Sequence, residues 1–99
     1  MRTEVVHQPE KNRYVIWANG REAGYAAYEY RSHTVRDFNH TVVDPAYRGQ
    51  GLATTLILEA LQDTRKAGHT VIPSCSAVER FISKNEAFKG LVENSVENS

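Results

Sequence analysis

The chain is predicted to fold as one α/β (α+β) domain, a mixed and mainly antiparallel sheet carrying two main helices. Three observations carry that expectation. Asn19-Gly20 separates two runs of strand-forming residues, apolar residues from Leu52 onward recur at helical spacing, and a short strand-like run, His69 to Pro73, stands between that helix and a second one.

Taken in order, Val5-Val6 is a candidate edge strand, and Tyr14-Val15-Ile16-Trp17-Ala18 is the first arm of a hairpin. Asn19-Gly20 supplies the positive φ angles of its turn, and the second arm runs from about Glu22 to Tyr30. A polar turn at Arg31 to His33 leads to a strand over Asp37 to Val43, which stops at Asp44-Pro45 because proline cannot donate to a ladder. From Gly51 the period changes. Leu52, Leu56, Leu58 and Leu61 form one stripe of a four-turn helix that ends at Ala67-Gly68. His69 to Pro73 is then a strand, and Ser74 to Ser83 a second helix with Val78, Phe81 and Ile82 on its buried face. Strand, helix, strand predicts a parallel crossover. Residues 1–92 are read as the single domain and 93–99, ENSVENS, as a polar disordered tail.

A length of 99 residues leaves no room for a second core. Twelve Lys plus Arg balance twelve Asp plus Glu, so no basic field draws in nucleic acid or an anionic membrane. No apolar leader or spanning run is present, and Cys75 as the one cysteine excludes an internal disulfide. A cytoplasmic protein is expected, a monomer or weak dimer, with no metal.

The chemistry is expected at Arg48-Gly49-Gln50-Gly51-Leu52-Ala53. Two glycines remove Cβ atoms so that successive N–H groups can approach an anion, and the helix that follows adds the positive end of its dipole. Such a turn suits a pyrophosphate, with Arg48 adding charge; glycines also open helices for purely structural reasons.

The run Val43-Asp44-Pro45-Ala46-Tyr47-Arg48-Gly49-Gln50-Gly51-Leu52-Ala53 resembles the signature of the GNAT superfamily of N-acetyltransferases: Arg or Gln, two residues, Gly, one residue, then Gly or Ala. With His40, Pro73, Cys75 and Phe81-Ile82, the similarity extends from about Tyr14 to Leu91 and points to a compact subfamily. The resemblance implies acetyl-CoA as co-substrate, an unidentified amine acceptor, and a strand ending at Val43 that splays from its neighbour. It further implies that backbone groups of Val42 and Val43 bond the pantetheine and acetyl group, and that amides from Arg48 to Thr54 hold the pyrophosphate.

Cys75, at the start of the second helix, is a candidate acid or nucleophile, since that position can lower a thiol's pKa; a buried apolar cysteine is the bland alternative. The resemblance favours the chemical role. Larger family members carry an Asn at the start of this helix and, seven residues on, a Tyr that protonates the leaving thiolate. Ser74 and Phe81 stand at those places, and phenylalanine has no proton to give. His40, three residues before Val43, is the candidate base, or else a half-exposed strand histidine. Tyr25, Tyr28 and Tyr30 are other phenols on a nearby strand. His7, His33 and His69 are expected at the surface or in turns, and Glu59 and Asp63 on the solvated face of the first helix. Lys84 and Lys89 are candidates for the 3′-phosphate of CoA. A noncatalytic acetyl-CoA or CoA-binding module and a protein-interaction domain are the alternatives to an enzyme.

Overall fold

The structure, a computed structural model, describes residues 1–93. Five strands lie side by side in the order in which the chain makes them: β1 (Thr3–Gln8), β2 (Arg13–Ala18), β3 (Arg21–Ser32), β4 (Val35–Val43) and β5 (Thr70–Ile72). The first four are antiparallel neighbours, and β5 joins β4 in parallel after helix α1 (Leu52–Lys66). Helix α2 (Ser76–Ser83) and a 3-10 segment (Glu86–Leu91) complete the described chain. The fold class is the one predicted.

The β2–β3 turn has Asn19 at φ 51° and Gly20 at φ 82°, the two positive angles that an Asn-Gly hairpin requires. The second polar turn falls at His33-Thr34, two residues later than expected. Val35 and Arg36 therefore belong to β4, and Thr70 anchors this end by donating its N–H to Thr34 O at 2.8 Å. β5 is shorter than the predicted run, and α2 begins at Ser76 with Cys75 as its N-cap rather than at Ser74.

One face of the sheet carries the core. Tyr14, Ile16 and Ala18 of β2, Ala23, Ala26 and Tyr28 of β3, and Phe38 of β4 pack against Leu52, Leu56, Ile57, Ala60 and Leu61 of α1. Val78 and Ile82 bring α2 into the same core, and Phe88 and Leu91 close it below. Bulges break the alternation of the strands. Tyr28 pairs with Phe38 but Ala27 pairs with His40, so Asn39 is an extra residue and the side chains beyond it change face.

The helix face also holds a polar network that the sequence reading did not anticipate. Tyr14 donates to Asp63 Oδ2 at 2.5 Å, and Arg36, only 4% exposed, donates to Tyr14 Oη at 2.8 Å and Thr64 Oγ1 at 3.0 Å. The Arg36 guanidinium lies over the ring of Tyr28, 4.7 Å from its centroid. His7 stacks on Tyr14 with centroids 4.1 Å apart and meets Tyr28 Oη at 2.7 Å through Nε2. Three expectations are corrected here. His7 is half-buried in this cluster, Asp63 is its acceptor while Glu59 alone stays exposed, and Nδ1 of His69 is buried with no hydrogen-bond partner among the described residues. Glu93, assigned to the tail, donates its N–H to Val71 O at 2.8 Å; residues 94–99 lie outside the described residues.

Candidate functional site

The site begins where β4 ends. The Asp44 carboxylate accepts the N–H of Ala46 at 2.9 Å and its carbonyl accepts that of Tyr47 at 2.9 Å, fixing the 3-10 turn Pro45–Tyr47. Arg48 donates its N–H back to Pro45 O at 3.1 Å. Gly49 and Gly51 then adopt φ of 83° and 75°, a left-handed conformation that costs a residue bearing a Cβ about 1–2 kcal/mol. A Cβ at either position would meet nothing within 4 Å. Glycine is thus required by conformation rather than crowding, and the space above the turn is open.

Gly51 caps α1 without a side-chain bond, and the first backbone bond into the helix runs from Thr55 N–H to Gly51 O at 3.2 Å. The N–H groups of Leu52, Ala53 and Thr54 have no acceptor within the helix and sit at its positive end. A cavity of about 160 Å³ lies over them, lined by Val43, Tyr47, Arg48 and the start of α1. It shares Ala53 and Thr54 with a second cavity of about 350 Å³ between α1 and α2, lined further by Ile57, Phe81, Arg80, Lys84 and Asn85. Free amides, two neighbouring cavities and the cations of Arg48, Arg80 and Lys84 fit a long ligand with several phosphates.

β4 and β5 part beside this turn. Their pairing covers only Val35 to Asp37 against Thr70 to Ile72, and residues 40–43 of β4 have a strand partner on the β3 side alone. Gly24 allows β3 to press close there: a Cβ would collide with Val42 O and lie 3.1 Å from Val43 Cα. Past the split, Cys75 donates its N–H to Phe38 O at 2.8 Å, and its Sγ lies 3.4 Å from Thr41 Oγ1. Burial alone would push the Cys75 thiol up, but the Thr41 hydroxyl and the N–H groups of Val78, Ala77 and Thr41 outweigh it, and the net direction is down.

The residues singled out in the sequence are thus distributed over two faces of one strand. Thr41 pairs with Ala26, a core residue, and stands on the helix face with Cys75; His40 pairs with Ala27 and projects from the opposite face, exposed, with Nδ1 2.7 Å from Asn39 O. Val42 is 45% exposed on His40's face, opposite Tyr25 in register. Tyr28 and Tyr30 belong to the Arg36 network and not to this site. Phe81 is half-buried, lines the larger cavity and packs on Phe88 at 5.6 Å. Lys84 lines that cavity; Lys89 does not, and pairs with Glu86 at 3.0 Å. Sequence reading missed Arg80, whose spacing four residues before Lys84 on α2 would have paired them, and Thr41, which no motif marks.

An amide-lined turn at a helix N-terminus, set against a split between parallel strands, marks the class of mixed α+β fold to which this domain belongs. The profile of the GCN5-related N-acetyl-transferase family matches residues 13–91, and the chain belongs to that family. It is similar to Protein NATD1 of Bos taurus, 28% identical over 82 residues that cover 82% of this chain and 73% of the relative. Among solved structures, a GCN5-like protein from Staphylococcus aureus superposes with a TM-score of 0.70 at 18% identity, covering 92% of this chain and 88% of the other. A GNAT family N-acetyltransferase from Escherichia coli, solved in complex with CoA, superposes with a TM-score of 0.54 at 29% identity, over 60% of this chain and 37% of the other.

Proposed function

We propose that the chain is an acetyl-CoA-dependent N-acetyltransferase acting on an amine acceptor. The observation that carries this reading is the junction of unspent amides at the start of α1 with the unpaired edge of β4, beside two cavities that share Ala53 and Thr54, the larger lined by Arg80 and Lys84. Acetyl-CoA supplies an activated thioester. Amides from Arg48 to Thr54 hold its pyrophosphate, and backbone groups of Val42 and Val43 hold its pantetheine arm and polarise the acetyl carbonyl.

The two faces of β4 divide the remaining work. Cys75, on the helix side, protonates the departing CoA sulfur, and a thiol whose pKa lies below its ordinary value is suited to that donation. His40, on the opposite face, takes the proton of the attacking amine. The C–N bond forms as the C–S bond breaks, one proton leaves the amine and one reaches CoA. In a covalent variant Cys75 first accepts the acetyl group, and acetylated protein would then be found when no acceptor is present.

A second reading, a noncatalytic CoA-binding module, is favoured by Phe81, which puts a ring without a hydroxyl in the cofactor cavity. Both readings are tested by calorimetric titration of acetyl-CoA into the wild type and Ala53→Glu, which sets a carboxylate in the cradle without disturbing a left-handed glycine. Binding lost only in the variant supports the cofactor site, and an amine-acceptor screen then separates enzyme from module. Absence of binding by folded wild type would sink both.

A further inference from the structure

Thr41 has a hydroxyl on the helix face of β4 that the mechanism above leaves unused. Its cross-strand partner is Ala26, a small core residue, so valine would fill the same volume and keep the same strand preference. The hydroxyl's neighbour is Cys75 Sγ at 3.4 Å. Sulfur is a weak partner in its neutral form, so this pair contributes little to holding a fold. A hydroxyl donating to a thiolate is charge-assisted and roughly twice as strong, so the pair gains its value when the sulfur ionises.

We propose that Thr41 is the positioning residue for Cys75, holding the sulfur between β4 and the start of α2 and donating to it as it loses its proton. Two further contacts fix the geometry. Cys75 N–H is tied to Phe38 O three residues earlier on the same strand, and Glu79 N–H closes the first turn of α2 on Cys75 O at 3.0 Å. The sulfur is therefore anchored from its own backbone and from Thr41. The titratable groups on the elements that meet here are Arg36 on the helix face of β4, held by Tyr14, Tyr30 and Thr64, Asp37 and His40 on its other face, and the exposed Glu79 and Arg80 on α2. The assignment rests on the reading of Cys75 as the reacting sulfur of the site.

Cys75 is the only cysteine in the chain, so alkylation by iodoacetamide reports this sulfur alone. Its rate is to be followed from pH 6 to 10 in wild type, Thr41→Ser and Thr41→Val, with circular dichroism confirming the fold. The expected result is a midpoint raised by about one pH unit in the valine variant and kept within about 0.3 unit in the serine variant. A folded valine variant with the wild-type midpoint overturns the proposal, as does a serine variant shifted as far as valine. Should valine not fold, Thr41→Ala is read by the same two criteria. The labelling needs neither acetyl-CoA nor acceptor. A raised midpoint in a chain that fails to bind acetyl-CoA would uphold Thr41's hold on the sulfur and reject the acetyltransferase reading alone.

Discussion

The phenol of Tyr14, in the second strand, donates at 2.5 Å to the carboxylate of Asp63, in the last turn of α1. Forty-nine residues separate them, and the bond pins the end of the helix remote from the cofactor turn. Burial first, and then this hydrogen bond, push the Tyr14 pKa well up, so the phenol stays protonated and remains a donor.

Tyr14→Phe leaves the packing of the ring in place but removes the donor to Asp63 and an acceptor of Arg36. The expected loss is about 1–3 kcal/mol, with one buried partner left unsatisfied, measured as a shift in urea midpoint at constant m.

His7 gives this cluster a pH dependence. Burial, and then the Arg36 charge, lower its pKa, partly opposed by Asp63. Nδ1 lies 3.5 Å from Asp63 Oδ2 and Nε2 lies 2.7 Å from Tyr28 Oη, a placement that suits a neutral ring with its proton on Nδ1. Because the folded pKa lies below the unfolded value of about 6.5, the unfolded chain binds more protons between the two. Stability is full above about pH 6.5 and falls as pH drops through that window. Urea midpoints between pH 5 and 7.5 should show the slope, and His7→Gln should flatten it.

Gly24→Ala would force a methyl into Val42 O and Val43. Overpacking of this kind costs about 1–3 kcal/mol, and relief by moving β4 would widen the β3–β4 spacing beside the cofactor edge. Thermal denaturation should show the loss, and titration of acetyl-CoA should show weaker binding by the folded fraction. Alanine at Gly90, where nothing lies within 4 Å, is the control.

His40→Gln separates the two faces of β4. The imidazole projects away from Cys75, so acetyl-CoA affinity should be unchanged, while kcat/KM for an amine acceptor at neutral pH should fall about 100-fold. Equal losses in both measurements would place His40 on the cofactor side and reject the division of roles.

Arg80→Ala with Lys84→Ala should weaken acetyl-CoA binding about tenfold and reduce its salt dependence, since both side chains line the cavity beyond the turn proposed to hold the pyrophosphate. Lys89→Ala, whose ammonium is held by Glu86, should do neither.

Local chemistry made much of this legible. Asn19-Gly20 and the glycines of the cofactor turn need left-handed angles that few other residues take, and the stripe from Leu52 to Leu61 marks α1 to within a residue. What escaped reading is set by register. Alternation along β4 places His40 on the same face as Phe38, which would point it at the core; the extra residue Asn39 reverses the sequence of faces, bringing Thr41 to Cys75 instead. No composition signals that bulge. The Arg36 cluster was invisible for a related reason: its members come from positions 7, 14, 28, 36, 63 and 64, and only the strand pairing and the docking of α1 make them neighbours.

The order of the strands has a kinetic consequence. β2, β3 and β4 each pair antiparallel with the strand made just before, so these hairpins close over short loops, while joining β5 to β4 requires a far longer closure through the whole of α1. The meander can therefore assemble from local contacts, and the parallel pair that creates the split forms late. In refolding followed by pulsed hydrogen exchange, amides of β2 and β3 should gain protection before those of Thr70 to Ile72. The place proposed for the cofactor would then be the last part of the protein to acquire its shape.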